Sequence, residues 1–466
     1  MPKQDKTYQS IDPLVIVLLI ILLAVILTYV IPAGKFAIAM DESGKPIINM
    51  ETFRFVERSP VSFLQIPVEI TKAFSKAIGI IVLIAAGSGA FEVIRKTGTV
   101  DAIIGFTLEK TQGNGRKAMW IVSLIFTLLS CAVIPHVFIP FTPMCIALAK
   151  ALGYDDFTGT CLILLSTVVG AIGAPIAPGT AAAQSVLGLP AYSGVQYRFV
   201  IMVLFYFVTM LYLIHYAECV KKDPLKSVVA NMNEERRKMI ASFEVTNYPK
   251  ITAWHVLIMT IMIASFALVI FGGYHNNWNN YVIAAVFMMM GIFCGIVGKL
   301  DCNGISKNFV NGVKALTSTY ILIGMATSVT KILNSGNIIG TIIYYLCQGF
   351  GTWPVLLAPV GMMFAVSVIN LFVPSLNGKI PLVLPILGPV CKLLGINQQL
   401  LSVAYTFGDS FTNFVLPYNS GLVGFLEAGH VSFGQWFRFF KGLLVIWFFM
   451  GAVILVVLKI LGIGPF

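Results

Sequence analysis

From Leu14 to Leu27 every residue is apolar, and the run continues to Ile31. A helix needs about 20 such residues to cross the hydrocarbon of a bilayer, so this one segment commits the chain to a membrane. It is too long for the core of a signal peptide and no small-residue cleavage pattern follows, which predicts a retained first transmembrane helix. Comparable runs recur at roughly 75–94, 118–134, 157–172, 196–217, 252–272, 280–298, 314–333, 353–371, 398–407 and 435–462. They are continuous rather than alternating, so they read as helices and not as barrel strands. Composition agrees: 58% of the 466 residues are hydrophobic and 11% charged, against about 25% charged in soluble domains. A disordered chain, a disulfide scaffold and a soluble multidomain enzyme are excluded. The expected fold class is an all-α polytopic membrane protein with about ten membrane-crossing segments.

The net charge is +11, from 31 Lys and Arg against 20 Asp and Glu. No basic run is interleaved with aromatics, so no nucleic acid is expected as a partner. Basic residues instead collect on cytoplasmic loops and set orientation, which makes the lipid bilayer the expected surrounding. The eight cysteines form no C-x-x-C pair and no cluster with histidine. Cys131, Cys145, Cys161, Cys294, Cys347 and Cys391 read as small buried hydrophobes, and neither a metal centre nor a cofactor is expected. Glu92 and Arg95, three apart at a helix end, read as a local ion pair. Gly87-Ser-Gly89 lacks the third glycine and the context of a nucleotide fingerprint, so it reads as a close helix contact.

The chain repeats itself. Ile94-Arg-Lys-Thr-Gly98 and Leu333-Asn-Ser-Gly336 each follow an apolar helix and precede similar apolar residues. Pro143 to Gly153 matches Pro385 to Gly395, aligning Lys150 with Lys392, and Gly194 to Phe199 matches Gly434 to Phe439, aligning Arg198 with Arg438. The offsets of these three matches are 238, 242 and 240, which indicates a duplication. It divides the chain into a first membrane repeat, 1–217, with an outside loop at 34–60; a cytoplasmic linker, 218–250; and a second repeat, 251–466, with one extra helix near 252–272. A topology with re-entrant hairpins at 117–152 and 353–394 puts 20 basic residues inside and 9 outside, Arg198 among the latter, with Lys379 and Lys459 outside this count. That excess inside favours antiparallel repeats, a cytoplasmic N-terminus and a bacterial-type inner membrane. Inverted repeats with broken helices characterise secondary transporters.

Four apolar runs are interrupted: at 134–143, 170–180, 370–381 and 408–421. Irregular backbone at membrane depth is tolerated where buried protein or a watery cavity satisfies it, and helix ends exposed there offer N–H groups to anions and carbonyls to cations. Asp409 is a carboxylate in such a break and normally needs a partner or a task. Lys379, between Gly378 and Pro381 at an expected hairpin tip, is its candidate ion-pair partner and a candidate anchor for a substrate carboxylate. Ser375, Asn377, Thr412, Asn413 and Asn419 supply neutral donors and acceptors, suited to a carboxylate, to Na+ near Asn377, Asp409 and Asn413, or to capping of broken helices. His136 reads as a proton-coupling group or a hydrogen-bonded turn residue. Gly378, Thr142, Gly173 and Thr180, in the same breaks, complete the candidate substrate- and ion-binding set.

The sequence resembles the anaerobic C4-dicarboxylate carrier (DcuC) family, in particular its YfcC-like branch, within the ion transporter superfamily. The resemblance rests on Tyr29-Val-Ile-Pro32-Ala-Gly34, Pro140-Phe-Thr-Pro143 with Ala149 to Tyr154, Gly188-Leu-Pro190 with Ser193-Gly194, Lys221-Lys-Asp-Pro224, Asn377-Gly-Lys379 and Gly408-Asp-Ser-Phe-Thr-Asn413. It implies a secondary carrier with two hairpins and two broken helices, the substrate held between scaffold and transport domains. It also implies homodimers, which are usual among superfamily relatives. The branch is commonly assigned to basic amino-acid exchange and the wider family to dicarboxylates. Where relatives carry a Ser/Thr-Asn-Pro type cluster, this chain has Ala174, Ile176, Ala177 and Pro178; where a tip is often acidic, it has His136 and Val137. Polar groups are therefore expected mainly in the second half.

The expected function is secondary active transport of a small amino acid, basic by the resemblance, by alternating access with H+, Na+ or an exchanged solute as driver. Asp409 facing Lys379 suits a zwitterion, since each charge finds a partner. The alternative substrate is a C4-dicarboxylate or other short carboxylate, and the alternative class is a passive channel. No enzyme is expected: a Walker A motif and a catalytic elbow are both missing.

Overall fold

A computed structural model describes residues 13–40, 46–229, 248–276, 278–348, 354–374 and 376–464. The centre of the predicted linker and the whole of Ser375 lie outside the described residues, as does the side chain of Asn377.

The chain is helical. The first apolar run forms α1 (Pro13–Val30). It leads into an antiparallel hairpin of β1 (Gly34–Met40) and β2 (Pro46–Phe55), which pairs Gly34 with Phe55 and Phe36 with Phe53. The predicted outside loop is thus partly a β-ribbon. Its aromatics explain why: Phe36 packs on Phe53, and Phe53 stacks on Tyr344 at 4.1 Å. The first half continues through α2 (Ile66–Lys96), α3 (Thr99–Lys110), α4 (Gly115–Ser130), a 3-10 segment (Pro135–Phe141), α5 (Thr142–Ala151), α6 (Asp156–Gly173), α7 (Pro178–Val186) and α8 (Val195–Lys222).

The second half has α9 (Ala253–Asn276), α10 (Asn280–Val297), α11 (Cys302–Ala315), α12 (Thr317–Ser335), α13 (Ile339–Gln348), α14 (Ala358–Asn370), α15 (Leu376–Leu393), α16 (Gln398–Asn413), α17 (Ser420–Ala428) and α18 (Phe433–Ile460). Three prolines, Pro381, Pro385 and Pro389, lie inside α15. Side-chain caps start many of the helices: Asp155 for α6, Asn397 for α16, Asn419 for α17 and Ser432 for α18 each accept a backbone N–H. Such caps satisfy donors that hydrocarbon cannot.

Among the described residues seven helices are long and apolar enough to cross a membrane, or eight if α11 and α12, bent by 46°, count as one span. The chain is a multi-pass membrane protein. Helices α1, α9 and α18 expose apolar side chains such as Leu19, Ile263 and Phe449, as lipid-facing helices do. At the centre, α6 and α16 are buried on nearly every face; a helix apolar or neutral all round belongs in a core. They touch each other, and α17, beyond the break in α16, packs on the first-half 3-10 segment, while α15 packs on α7.

The predicted local features are present. Arg95 pairs with both oxygens of Glu92, at 2.7 and 2.6 Å. Gly87 and Gly89 are close contacts: a Cβ on Gly89 would lie 2.6 Å from the Phe309 ring, and one on Gly87 2.9 Å from Pro140.

Candidate substrate and ion site

Lys379 and Asp409 meet. Lys379 Nζ donates to Asp409 Oδ1 and to Asn370 Oδ1, and the ammonium is wholly buried while Asp409 is 4% exposed. The first turn of α15 delivers Lys379, and α16 delivers Asp409 one turn before its end. Taking both charges from water costs several kcal/mol each, which the pair offsets only with further hydrogen bonds. Those bonds are present. Asp409 Oδ2 accepts from Asn413 Nδ2 at 3.0 Å; Asn370 Nδ2 lies 2.9 Å from both Thr412 Oγ1 and Asn413 Oδ1; Asn419 Nδ2 donates to Asn413 Oδ1 at 3.0 Å. The Lys379 ammonium also lies 5.9 Å from the centre of the Tyr405 ring.

Asn419 has two roles. Its Oδ1 accepts from Gly421 N and Leu422 N, capping α17, while its amide reaches back across the break to Asn413. Beside it, His136 Nε2 is 2.9 Å from Ser420 Oγ, so the 3-10 segment of the first half touches the 408–421 break. His136 Nδ1 has no partner among the described residues.

Five predicted residues therefore form one network: Lys379, Asp409, Thr412, Asn413 and Asn419, with His136 at its edge. Three others are engaged locally. Thr142 Oγ1 donates to Ile139 O at 2.7 Å and Thr180 Oγ1 to Ala174 O at 2.9 Å, each closing a turn at a first-half break. Gly173 ends α6 where α8 leaves no room: a Cβ there would lie 2.4 Å from Met202 Cβ and 3.0 Å from Arg198 O.

Two residues escaped the sequence reading. Asn370 is wholly buried and links Lys379 to α16. Its offset of 240 from Ser130, which donates to Thr167 O on α6 at 2.9 Å, is the signal that points to it. Arg198, counted among outer loop residues, is 1% exposed inside the protein. Its repeat counterpart Arg438 is exposed, so the duplication hides rather than reveals it. Together with Lys379 it makes two buried cations where one was expected.

Broken helices meet around a buried ion pair, within a bundle sheathed in lipid-facing apolar surface, and the family model makes this a membrane carrier. The chain belongs to the family described as C4-dicarboxylate anaerobic carrier, DcuC, whose model matches residues 12–460. It is 25% identical over 501 residues to the "Putative basic amino acid antiporter YfcC" of Escherichia coli K12, covering 99% of this chain and 98% of that one. It is also 25% identical over 500 residues to an uncharacterized protein of Haemophilus influenzae Rd, covering 98% of each. Among solved structures, it aligns with the Alcanivorax borkumensis YdaH transporter at 15% identity and a TM-score of 0.45, over 97% of this chain and 100% of that one. It aligns with MtrF of Neisseria gonorrhoeae at 14% identity and a TM-score of 0.42, over 97% and 95%.

Proposed function

We propose that this carrier is a secondary active transporter of a small amino acid, a basic one foremost, working by alternating access. The observation that carries the reading is the buried Lys379–Asp409 pair at the junction of two breaks. An amino acid can divide that pair, its α-carboxylate taking Lys379 and its α-amino group taking Asp409, so that both α-charges are met while the site is closed. Asn370, Asn413 and Asn419 then serve as neutral donors and acceptors around it, with Asn377 and Ser375 nearby in sequence. The description of the Escherichia coli relative supports a basic amino acid. The carrier acts as an exchanger, or as a symporter using H+ or Na+ as the coupling ion. Its place is the bacterial-type inner membrane, with the N-terminus in the cytoplasm, as a homodimer.

The alternating mechanism rests on an inverted repeat, 1–217 against 251–466, with the linker 218–250 in the cytoplasm. Matching contacts support it. Thr127 and Ser130 on α4 donate to backbone carbonyls of Ser166 and Thr167 on α6; Ser367 and Asn370 on α14, at an offset of 240, donate to carbonyls of Gly408 and Asp409 on α16. Each re-entrant hairpin then braces its own broken helix in the same way.

A C4-dicarboxylate is the second reading. The family description and the second buried cation, Arg198, favour it. Uptake into proteoliposomes of radiolabelled arginine, lysine and succinate, under imposed H+ or Na+ gradients or with counter-substrate inside, decides between them. Coupled uptake that survives both Lys379→Ala and Asp409→Ala would falsify the site assignment, and downhill flux without accumulation would make the protein a channel.

A further inference from the structure

Arg198 is a buried cation without an anion. It lies in the first turn of α8, 1% exposed, and no carboxylate among the described residues pairs with it. Its Nη2 donates to Ser402 Oγ at 2.8 Å. Its Nη1 reaches Gly173 O and Thr406 Oγ1, each at 3.5 Å, and Nε has no partner. A guanidinium left this way pays a desolvation penalty of several kcal/mol unless a local field holds it.

The field is at hand. Gly173 is the last residue of α6, which ends in a break with Ala174 in the left-handed region at φ 42°. The final carbonyls of a helix carry about half a negative charge between them, and Gly173 lies buried. Gly173 has no side chain, so α8 packs directly on this helix end and brings the guanidinium to it. The hydroxyls on the other side come from α16, at Ser402 and Thr406, one helical turn apart. The same face continues to Asp409 and Ser410, about 5–6 Å beyond Thr406 at 1.5 Å per residue. Arg198 thus ties the first break to the helix that carries the second half's carboxylate.

We infer that Arg198 is a tethered cation: its guanidinium does permanently, at the end of α6, what a bound inorganic cation does at a broken helix. The first half then has no exchangeable cation there, and the exchangeable charge of the carrier is confined to the Lys379–Asp409 side. This accounts for a first break built from Ala174, Ile176, Ala177 and Pro178, which offers few ligands to a free ion. The inference deepens the carrier reading above and rests on it for the transport arm of its test, not for the binding arm.

The binding arm uses purified full-length protein and no substrate. Arg198→Ala is expected to lower the thermal midpoint, and methylguanidinium, on the order of 10 mM, a weak-affinity concentration, is expected to restore most of the loss. Urea at the same concentration, similar in shape but uncharged, is expected to restore none, and wild type should gain less from methylguanidinium than Arg198→Ala does. In the transport arm, Arg198→Lys keeps a substantial fraction of uptake, while Arg198→Met, which keeps the bulk without the charge, loses about tenfold or more. The Lys–Met comparison stands even where the alanine variant does not fold. Wild-type uptake in Arg198→Met overturns the inference, because the charge is then idle. So does a raised KM for arginine or succinate with kcat retained, because Arg198 then binds the substrate's carboxylate. If wild type itself carries none of the solutes, the carrier reading fails while the methylguanidinium response still decides the role of Arg198.

Discussion

Lys379 and Asp409 are buried together, and each is the other's charge partner. Removing one leaves the other as a bare buried charge, which costs about 3–5 kcal/mol, whereas removing both is far milder. Lys379→Met is therefore expected to unfold at a lower temperature than the double variant Lys379→Met with Asp409→Leu, and neither should transport. Thermal unfolding in detergent together with proteoliposome uptake checks both parts; equal midpoints for single and double variants would show that the pair is not coupled. Asn370 holds the pair from the side. Asn370→Ala strips Lys379, Asp409, Thr412 and Asn413 of a shared partner, and the expected loss is about 1–3 kcal/mol, with uptake lost as well. The pair itself was legible in the sequence because charge is so scarce in the core. Asn370 was not, since a lone amide at the end of an apolar run looks like any helix terminus. Arg198 was hidden by arithmetic: counting basic residues by loop assigns each one a side of the membrane from its position in the chain, and only tertiary packing of α6, α8 and α16 shows that this one points inward.

Among elements, the contact between each brace helix and its broken helix is set by glycine. A Cβ on Gly170 would lie 1.9 Å from Ser130 Oγ and 2.5 Å from the Thr127 carbonyl; one on Gly408 would lie 2.5 Å from the Met363 carbonyl and 2.8 Å from Val366. Backbone cannot yield as a flexible side chain does. Gly170→Ala and Gly408→Ala are each expected to destabilise by about 1–3 kcal/mol, read as lowered thermal midpoints. Gly434→Ala, where nothing lies within 4 Å, serves as the neutral control. The breaks themselves were legible from Pro and Gly at four places, since those residues remove donors or admit unusual backbone. The β-ribbon was not: its strands carry charges at Lys35 and Arg54 and read as a polar loop until the Phe53–Tyr344 stack supplies the missing apolar partner.

For the whole molecule, the proposed orientation can be tested through the described cysteines. Cys302, at the start of α11, is exposed, whereas Cys131, Cys145, Cys161, Cys294 and Cys391 are buried. With Cys219 and Cys347 replaced by serine, a membrane-impermeant maleimide is expected to label Cys302 in inverted vesicles and not in right-side-out ones, because residues 299–314 fall on the cytoplasmic side of the proposed topology. Labelling from the opposite side would reverse the entire arrangement. Movement through such an arrangement needs a part that yields, and α15 has the means. Pro381, Pro385 and Pro389 recur every fourth residue, so one side of this helix lacks three successive N–H donors, and the carbonyls of residues 377, 381 and 385 lose their usual partners. A rod with its rungs missing along one edge bends toward the other like a spring of laminated strips. Lys379 sits between the two ends of the first missing rung, so the proposed exchange of its ammonium between Asp409 and a substrate carboxylate draws on bending at this place.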